Sequence, residues 1–329
     1  MNGNDPFSSV LADGLRAFLT HHRALGKRYQ SEEEYFQLFD RYLIDQQIVT
    51  LEAITDEVIN AFLVSRPYAP RVYNTHVGML RRLFDWLVLT ARLTQSPVSA
   101  RRRATRASAR PFIFTPEQVR QLLELAGQLP AVRRCCHRGE TYRLAFALMY
   151  ALGLRVGEVV RLCRHDVDVD NRLLQIRETK FAKQRWLPFG PKLAVEVMTY
   201  RQQSEAYCGH LQPHHPLLSF HRDKTTPIDR KSISRGFRRL VPHLALTIPP
   251  GTAYPRAHHL RHSFAVGTLL RWYREPTPPA PRLMALATFL GHVDPGSTAV
   301  YLTMTAELLA AASQRFETLA TPVRQAVIR

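Results

Sequence analysis

The chain has 329 residues, and 45% of them are hydrophobic, which suffices for two domains with cores and excludes a disordered chain. Its formal net charge is +18 at pH 7. Such an excess favours a polyanionic partner, because a protein that neutralises phosphates releases their counterions; a basic protein without such a partner is the alternative.

Four helical patterns fill residues 1–95. Apolar residues recur at helical spacing over residues 9–25 and 31–47, and again after Thr55 and Pro70. Thr55 is suited to cap the third helix, and Pro70 fits the first turn of the fourth. We predict that residues 1–95 form a small helical DNA-binding domain of four helices.

Residues 96–113 break this pattern. They carry five arginines between Arg101 and Arg110 and almost no large apolar side chain, which is typical of a flexible basic linker. The linker is either a solvated hinge or a strap that follows a DNA backbone. In the second interpretation Arg101, Arg102 and Arg103 are candidate DNA contacts.

Residues 114–329 form the second predicted domain. Thr115 and Gln118 make a capping box for a helix that runs to about residue 126. A second helix covers 140–151 and ends at Gly153, and Arg155 starts a third over 155–163. Two strands, 172–177 and 184–188, enclose a turn that holds Lys180 and Lys183. A third short strand is predicted over 217–220.

The remaining segments are mostly helical. Helices are predicted over 191–207, 229–245, 256–273, about 282–291 and 305–319, with a proline-rich loop at 275–281. The helix over 229–245 carries five cations, among them Arg235 and Arg238. They form either a solvated face or a contact with a DNA groove or backbone.

Several functional classes are not supported by the sequence. No apolar run reaches the ~20 residues of a membrane span, and no signal pattern opens the chain. The cysteines form no regular framework, and the histidine-rich segment after Cys208 matches no common metal site. We therefore expect a cytoplasmic protein that has no membrane association, no metal and no cofactor.

Residues 255–301 concentrate reactive side chains. His258 and Arg261 share one helix face, His292 follows in a turn, and Tyr301 comes nine residues later. Two basic groups, a third after a turn and a phenol make a plausible site for attack on a phosphodiester. Each residue alone is more often structural, so the indication comes from the set.

The set resembles that of the tyrosine recombinases, the phage-integrase and Xer-like family. The matching motifs are ALGLRVGEVVRL at 151–162, TKFAKQRWLP at 179–188, HHLRHSFA at 258–265 and LGHVDPGSTAVY at 290–301. The resemblance implies a mainly α fold, with a helical core-binding domain and an α+β catalytic domain that holds a small antiparallel sheet. It also implies metal- and ATP-independent cleavage and rejoining of duplex DNA.

The resemblance assigns six catalytic residues. Arg155 and Arg261 match the two arginines that bind the phosphate, and Glu158 matches the usual acidic neighbour of the first. Tyr301 matches the nucleophile that forms a 3′-phosphotyrosine. His258 matches the histidine of the HxxR pair, His292 the second histidine and Lys180 the lysine of the β-hairpin. Their chemistry allows His258 to accept the phenolic proton, His292 to help position the phosphate and Lys180 to donate the proton that the leaving 5′-hydroxyl needs.

We therefore expect a site-specific recombinase of a mobile element or phage, acting on double-stranded DNA as a homotetramer, either alone or with sister recombinases. Chromosome-dimer resolution remains open. The alternatives are a catalytically silent DNA-binding accessory protein of the same fold, a type IB topoisomerase and a metal-dependent nuclease. The last is disfavoured because the chain lacks clustered carboxylates.

Overall fold

The computed structural model describes residues 6–105, 109–132, 137–177, 184–221, 225–275, 280–292, 294, 296–303, 305, 307–314 and 317. The chain divides into two compact units, Met1–Ser108 and Ala109–Arg329. This boundary falls inside the arginine-rich segment 96–113.

The N-terminal unit consists of four helices: α1 (Ala12–Ala24), α2 (Gln30–Asp45), α3 (Asp56–Val64) and α4 (Pro70–Leu89). The predicted helical fold of this region is confirmed. Its core is rich in aromatic rings, because the apolar stripe of each helix carries phenylalanine; the fully buried ones are Phe18, Phe36, Phe39, Phe62 and Phe84. Burial of these stripes is what holds four short helices together.

The segment after α4 is attached to the N-terminal unit. Val98 and Ala100 are buried in its core. The Asn74 side chain accepts a hydrogen bond from the Arg103 N–H at 2.7 Å and donates one to the Arg103 carbonyl at 2.8 Å. The Arg103 guanidinium lies 3.7 Å from the ring centroid of Tyr73. The composition indicates a flexible linker, but these small apolar anchors and backbone bonds fix residues 98–103.

The C-terminal unit is mainly helical. It contains α5 (Pro116–Gly127), α6 (Arg138–Ala151), α7 (Val156–Val159), α8 (Pro191–Cys208), α9 (Arg230–Leu240), α10 (His258–Arg274), α11 (Ala280–Leu290) and α12 (Gly296–Ala299). A 3-10 helix, Val300–Thr303, follows, and residues 307–314 are helical. The predicted capping box of Thr115 and Gln118 is present at α5. No helix among the described residues is both long and apolar enough to cross a membrane.

A three-stranded antiparallel sheet lies beside these helices, in the order β1 (Val167–Asp168), β2 (Leu173–Ile176) and β3 (Arg185–Pro188). Strands β2 and β3 match the prediction, whereas β1 was not predicted. The strand predicted over 217–220 is wrong: those residues form no strand, and Pro216 makes one isolated bridge with Cys163. Whether such a short segment forms a strand depends on its pairing partner and its burial, which its own sequence does not specify.

Two predicted helices are shorter than expected. The helix predicted over 155–163 is the single turn α7, and the helix predicted over 229–245 ends at Leu240, where a 3-10 helix, Val241–Leu244, begins. Pro242 lies in this second segment and cannot donate the backbone hydrogen bond that an α-helix requires. Most of the loop predicted over 275–281 lies outside the described residues.

Two glycine turns position the centre of this unit. Gly153 follows α6 with φ +59°, and Gly291 follows α11 with φ +68°, a backbone region that glycine enters without penalty. A Cβ on Gly153 would lie 2.6 Å from Phe264 Cδ1, and one on Gly291 would lie 2.7 Å from Arg185 Nη1. The absent side chains therefore leave room for the close packing of these two turns against their neighbours.

Candidate active site

Five of the residues singled out in the sequence converge in the C-terminal unit. Arg155 is the N-cap of α7, His258 and Arg261 lie in the first turns of α10, and Gly291 leads α11 into His292. Tyr301 lies on the 3-10 helix that follows α12. Arg261 contacts the turn that follows α6, the last residue of α11 and the turn after α11, so it is the centre of the arrangement.

Arg261 has one of the largest fully buried side chains in the described residues, with 1% of its surface exposed. Its Nη1 donates to the Gly153 carbonyl at 2.6 Å, and its Nη2 donates to the Leu290 carbonyl at 2.8 Å. Nη2 also lies 3.0 Å from Nε2 of His292. Burial and then the charge of Arg155 lower the pKa of Arg261 to about 10, so the guanidinium stays charged at neutral pH.

Arg155 and Arg185 share one buried carboxylate, Glu158. Arg155 donates from its backbone N–H at 2.9 Å and from Nη1 at 3.1 Å, and Arg185 adds two bonds of 3.1 Å. Burial alone would raise the pKa of Glu158, but the hydrogen bond and charge of Arg185, followed by those of Arg155, hold it below its usual value. The paired carboxylate therefore remains ionised and anchors both guanidinium groups.

The backbone of the turn after α11 completes the anchoring. Arg155 Nη2 donates to the Gly291 carbonyl at 3.0 Å, and Arg185 Nε donates to the Phe289 carbonyl at 2.9 Å. Three guanidinium groups, those of Arg155, Arg185 and Arg261, thus face a single carboxylate, Glu158. This local excess of positive charge suits an anion, and the fork geometry of guanidinium suits phosphate oxygens.

The phenol of Tyr301 lies beside this charged pocket, and only 3% of its residue surface is exposed. Its Oη lies 3.2 Å from Nδ1 of His262, and the His292 ring stacks on the tyrosine ring at a centroid distance of 6.1 Å. His292 Nδ1 lies 2.7 Å from Thr298 Oγ1. Burial raises the pKa of Tyr301, whereas the charge and hydrogen bond of Arg261 oppose that rise.

The histidines of the site are neutral at pH 7. The surrounding protein shields the His258 ring from water, and this desolvation, followed by the charges of Arg261 and Arg155, lowers the pKa of His258 to about 4. Part of the residue surface nevertheless stays exposed. Burial and then Arg261 lower the pKa of His292 to about 4, and burial and then His258 lower that of His262 to about 3. Neutral imidazoles have a free lone pair, so they can accept hydrogen bonds or protons.

The sequence also predicted Lys180 in this site, and Lys180 lies outside the described residues. The two strands that flank its segment pair through Ile176 and Arg185. Because Arg185 bonds Glu158, the start of β3 lies at the charged pocket.

Sequence reasoning missed Arg185 and His262 as members of the site. Both had a recognisable signal. Arg185 is two residues before the buried Leu187 on β3, so the strand alternation places both on one face. His262 is four residues after His258 on α10, which places both on one helix face, and their rings lie 4.8 Å apart in an edge-to-face contact.

The candidate DNA-contact arginines lie on the surfaces of the two units. In the N-terminal unit Arg101, Arg102 and Arg103 are exposed, and in the C-terminal unit Arg235 and Arg238 are exposed on α9. Arg235 also donates to Ser232 Oγ at 3.1 Å. The described residues contain no group of three histidine, cysteine or acidic side chains that could hold a metal ion.

Comparisons with known proteins give a consistent result. A family model described as the phage integrase family matches residues 113–307, which is more than half of the chain. A Sinorhizobium fredii protein, y4rB, provisionally described as an integrase/recombinase, is 31% identical over 94% of this chain and 98% of its own length. The tyrosine recombinase XerD of Lacticaseibacillus casei is 26% identical over 89% of this chain and 92% of its own.

Solved structures share the fold at low sequence identity. The integrase of transposon Tn1549, in complex with a circular-intermediate DNA, superposes with a TM-score of 0.63 over 94% of this chain and all of that chain (100%), at 14% identity. A lambda integrase tetramer bound to a Holliday junction gives a TM-score of 0.58 over 89% of this chain and 77% of that chain, at 18% identity. The predicted fold class is thus confirmed for both units.

Proposed function

Because the chain belongs to the phage integrase family of tyrosine recombinases, enzymes that break and rejoin DNA, we propose that it is a site-specific recombinase that cuts duplex DNA through Tyr301. One observation carries this proposal: the Tyr301 phenol lies against Arg261 and His262 at a pocket with an excess of guanidinium charge. A nucleophile beside an anion-binding pocket is what attack on a phosphodiester requires.

The arginines would bind the non-bridging oxygens of the phosphate. Arg155 and Arg261 each use part of their five N–H donors on backbone carbonyls, which leaves others for a ligand. Negative charge grows on these oxygens as phosphorus becomes pentacoordinate, and each preorganised donor lowers the barrier by about 3–4 kcal/mol. His292, held by Thr298 and Arg261, would help to position the same phosphate.

Cleavage would exchange one phosphoester bond for another. The Tyr301 oxygen attacks phosphorus, the 5′-oxygen leaves, and the product is a 3′-phosphotyrosine. Lys180 would donate the proton that the leaving 5′-oxygen needs, because an alkoxide is a poor leaving group. The bond energy is retained in the covalent link, so a 5′-hydroxyl of another strand can rejoin the backbone without ATP.

Binding would rely on the basic surfaces of both units, with Arg101, Arg102, Arg103, Arg235 and Arg238 as candidate phosphate contacts. Such contacts position the protein on DNA and make its affinity fall steeply with salt. A homotetramer on two DNA sites, with or without sister recombinases, fits the tetrameric state of the related lambda integrase. A cytoplasmic role in moving a mobile element is consistent with the similarity in fold to the integrase of a transposon.

Covalent trapping tests the proposal. The protein is incubated in EDTA with nicked duplexes taken from the DNA that flanks its own gene, beside a Tyr301→Phe variant. A denaturant-resistant adduct that maps to Tyr301 and is absent from the variant is expected. Tyr254→Phe serves as the matched control, because Tyr254 is an exposed phenol of the same unit and its loss should leave adduct formation unchanged.

Two results would contradict this function. An adduct that persists in Tyr301→Phe would move the nucleophile to another residue. Tight DNA binding without any adduct, on duplexes that cover both flanks, would instead support a silent DNA-binding accessory protein of the same fold.

A further inference from the structure

His262 is the histidine whose nitrogen lies nearest to the reactive oxygen in the described contacts. Its Nδ1 is 3.2 Å from Tyr301 Oη, and the two ring centroids are 5.4 Å apart. The sequence favoured His258 as the proton acceptor of the tyrosine. His258 instead contacts the ring of His262, and burial followed by the charges of Arg261 and Arg155 lowers its pKa.

We infer that His262 is the group that accepts the phenolic proton of Tyr301 during attack, and this inference rests on the recombinase function proposed above. The proton moves from Oη to Nδ1 while the Oη–P bond forms and the P–O5′ bond breaks. In the rejoining step the incoming 5′-hydroxyl attacks, and His262 returns the proton to the departing tyrosine oxygen. No oxidant, metal or further reactant enters the balance.

The surroundings of His262 fit this role. The charged and titratable groups that face it are His258, His259 and Arg261 on α10, His292 after α11, and Tyr301. Burial, followed by the effects of His258, His259 and Arg261, keeps the imidazole neutral in the free protein, so Nδ1 can receive a hydrogen bond from the phenol. A bound phosphodiester adds negative charge beside these cations, which makes the imidazole more basic when the phenol must ionise.

The first test uses single-turnover cleavage of the duplex identified by trapping. His262→Ala removes the acceptor, and His262→Asn keeps an oxygen that can accept a hydrogen bond but cannot take the proton. Both variants should bind DNA normally and cleave about 100- to 10,000-fold more slowly. His243→Asn is the matched control, because His243 is an exposed histidine of the same unit; its rate should stay within about threefold.

Chemical rescue separates a proton acceptor from a structural residue. Added imidazole can occupy the space that His262→Ala leaves, and it should restore cleavage in proportion to its neutral fraction. A substrate with sulfur in place of the bridging 5′-oxygen supplies a leaving group that needs no proton. This substrate should restore a Lys180→Ala variant and leave His262→Ala slow, since His262 acts on the nucleophile.

Three outcomes overturn the inference: wild-type rates in both His262 variants, no rescue by imidazole, or recovery of His262→Ala on the sulfur substrate. The absence of a wild-type adduct would refute the proposed function. The hydrogen bond between Tyr301 and His262 can still be tested in that case, by a measurement without DNA. In protein labelled at tyrosine Cζ with ¹³C, the Tyr301 signal is the one missing from Tyr301→Phe. The chemical shift of this signal should change in His262→Ala more than that of any other tyrosine. An unchanged chemical shift would show that Tyr301 and His262 are not hydrogen-bonded.

Discussion

The two sides of the candidate active site are held in different ways. On the arginine side, Arg155 and Arg185 donate to Glu158. These two arginines and Arg261 also donate to backbone carbonyls of residues 153 and 289–291. On the tyrosine side, Tyr301 lies on a four-residue 3-10 helix and contacts imidazole rings. In the described contacts, many charge-assisted bonds therefore fix the anion pocket, whereas Tyr301, the proposed nucleophile, is held by hydrogen bonds with Arg261 and His262 and by apolar packing.

This difference matches what each side must do. A pocket that stabilises developing charge works best when its donors are already oriented and need no rearrangement. A tyrosine that becomes covalently attached to DNA must instead move with the phosphate through cleavage and rejoining. Substitutions on the arginine side should thus reduce both stability and cleavage, while substitutions on the tyrosine side should reduce cleavage with little loss of stability.

Arg261→Met should give the largest effect on both properties. It removes the donors to the carbonyls of Gly153 and Leu290, and each lost bond to a charged donor costs about 1.5–3 kcal/mol. Cleavage should fall at least about 1,000-fold, because a transition-state donor is lost as well. Denaturant unfolding and single-turnover cleavage measure the two losses. Normal stability in this variant would show that the arginine side is not anchored as described.

Glu158→Gln should give the next largest effect, because it leaves Arg155 and Arg185 without their buried counter-charge. Breaking a buried ion pair costs about 3–5 kcal/mol. Glu196→Gln is the matched control, since the Glu196 pair with Arg143 is partly exposed and is worth less than about 1 kcal/mol. Equal unfolding free energies for the two variants would show that the buried ion pairs of Glu158 stabilise the protein no more than the partly exposed pair of Glu196.

The helices of both units could be predicted from the sequence because their signals are local. Period-3.6 apolar stripes locate α1 to α4, and the capping box of Thr115 gives the start of α5 within one residue. The two-residue strand β1 and the missing strand at 217–220 could not be predicted. A two-residue strand such as β1 is too short to show an alternating pattern, and the outcome at 217–220 depends on pairing with a segment that is distant in sequence.

The residues of the site were predictable as types, whereas their connections were not. Spaced motifs identified Arg155, His258, Arg261, His292 and Tyr301, and Glu158 as a neighbour. The contacts that define their roles span long sequence separations: Arg185 meets Glu158, and His262 rather than His258 meets Tyr301. Such contacts follow from the packing of α7, β3, α10 and the C-terminal 3-10 helix, which no local pattern encodes.

The smallest expected effects are on the pH dependence of stability, which should differ between the two sides of the site. The folded pKa of His262 is about 3, below its ordinary value of 6.5, so the unfolded chain binds the extra proton and stability falls as pH drops below about 6.5. The folded pKa of Glu158 is also lowered, from 4.5. Its stabilisation is therefore complete above about pH 4.5 and is lost only on further acidification.

Two variants resolve these windows in a Trp86→Phe background, where the remaining tryptophans, Trp186 and Trp272, both report on the C-terminal unit. His262→Asn should reduce the loss of unfolding free energy between pH 7 and pH 5 by up to about 2 kcal/mol, the value set by a fall of the His262 pKa from 6.5 to about 3. Glu158→Gln should lower stability at both pH values by the same amount, because its carboxylate does not titrate there. A pH 7 to 5 loss that is unchanged by His262→Asn would mean that this histidine is already protonated, or equally hydrated, in the folded protein.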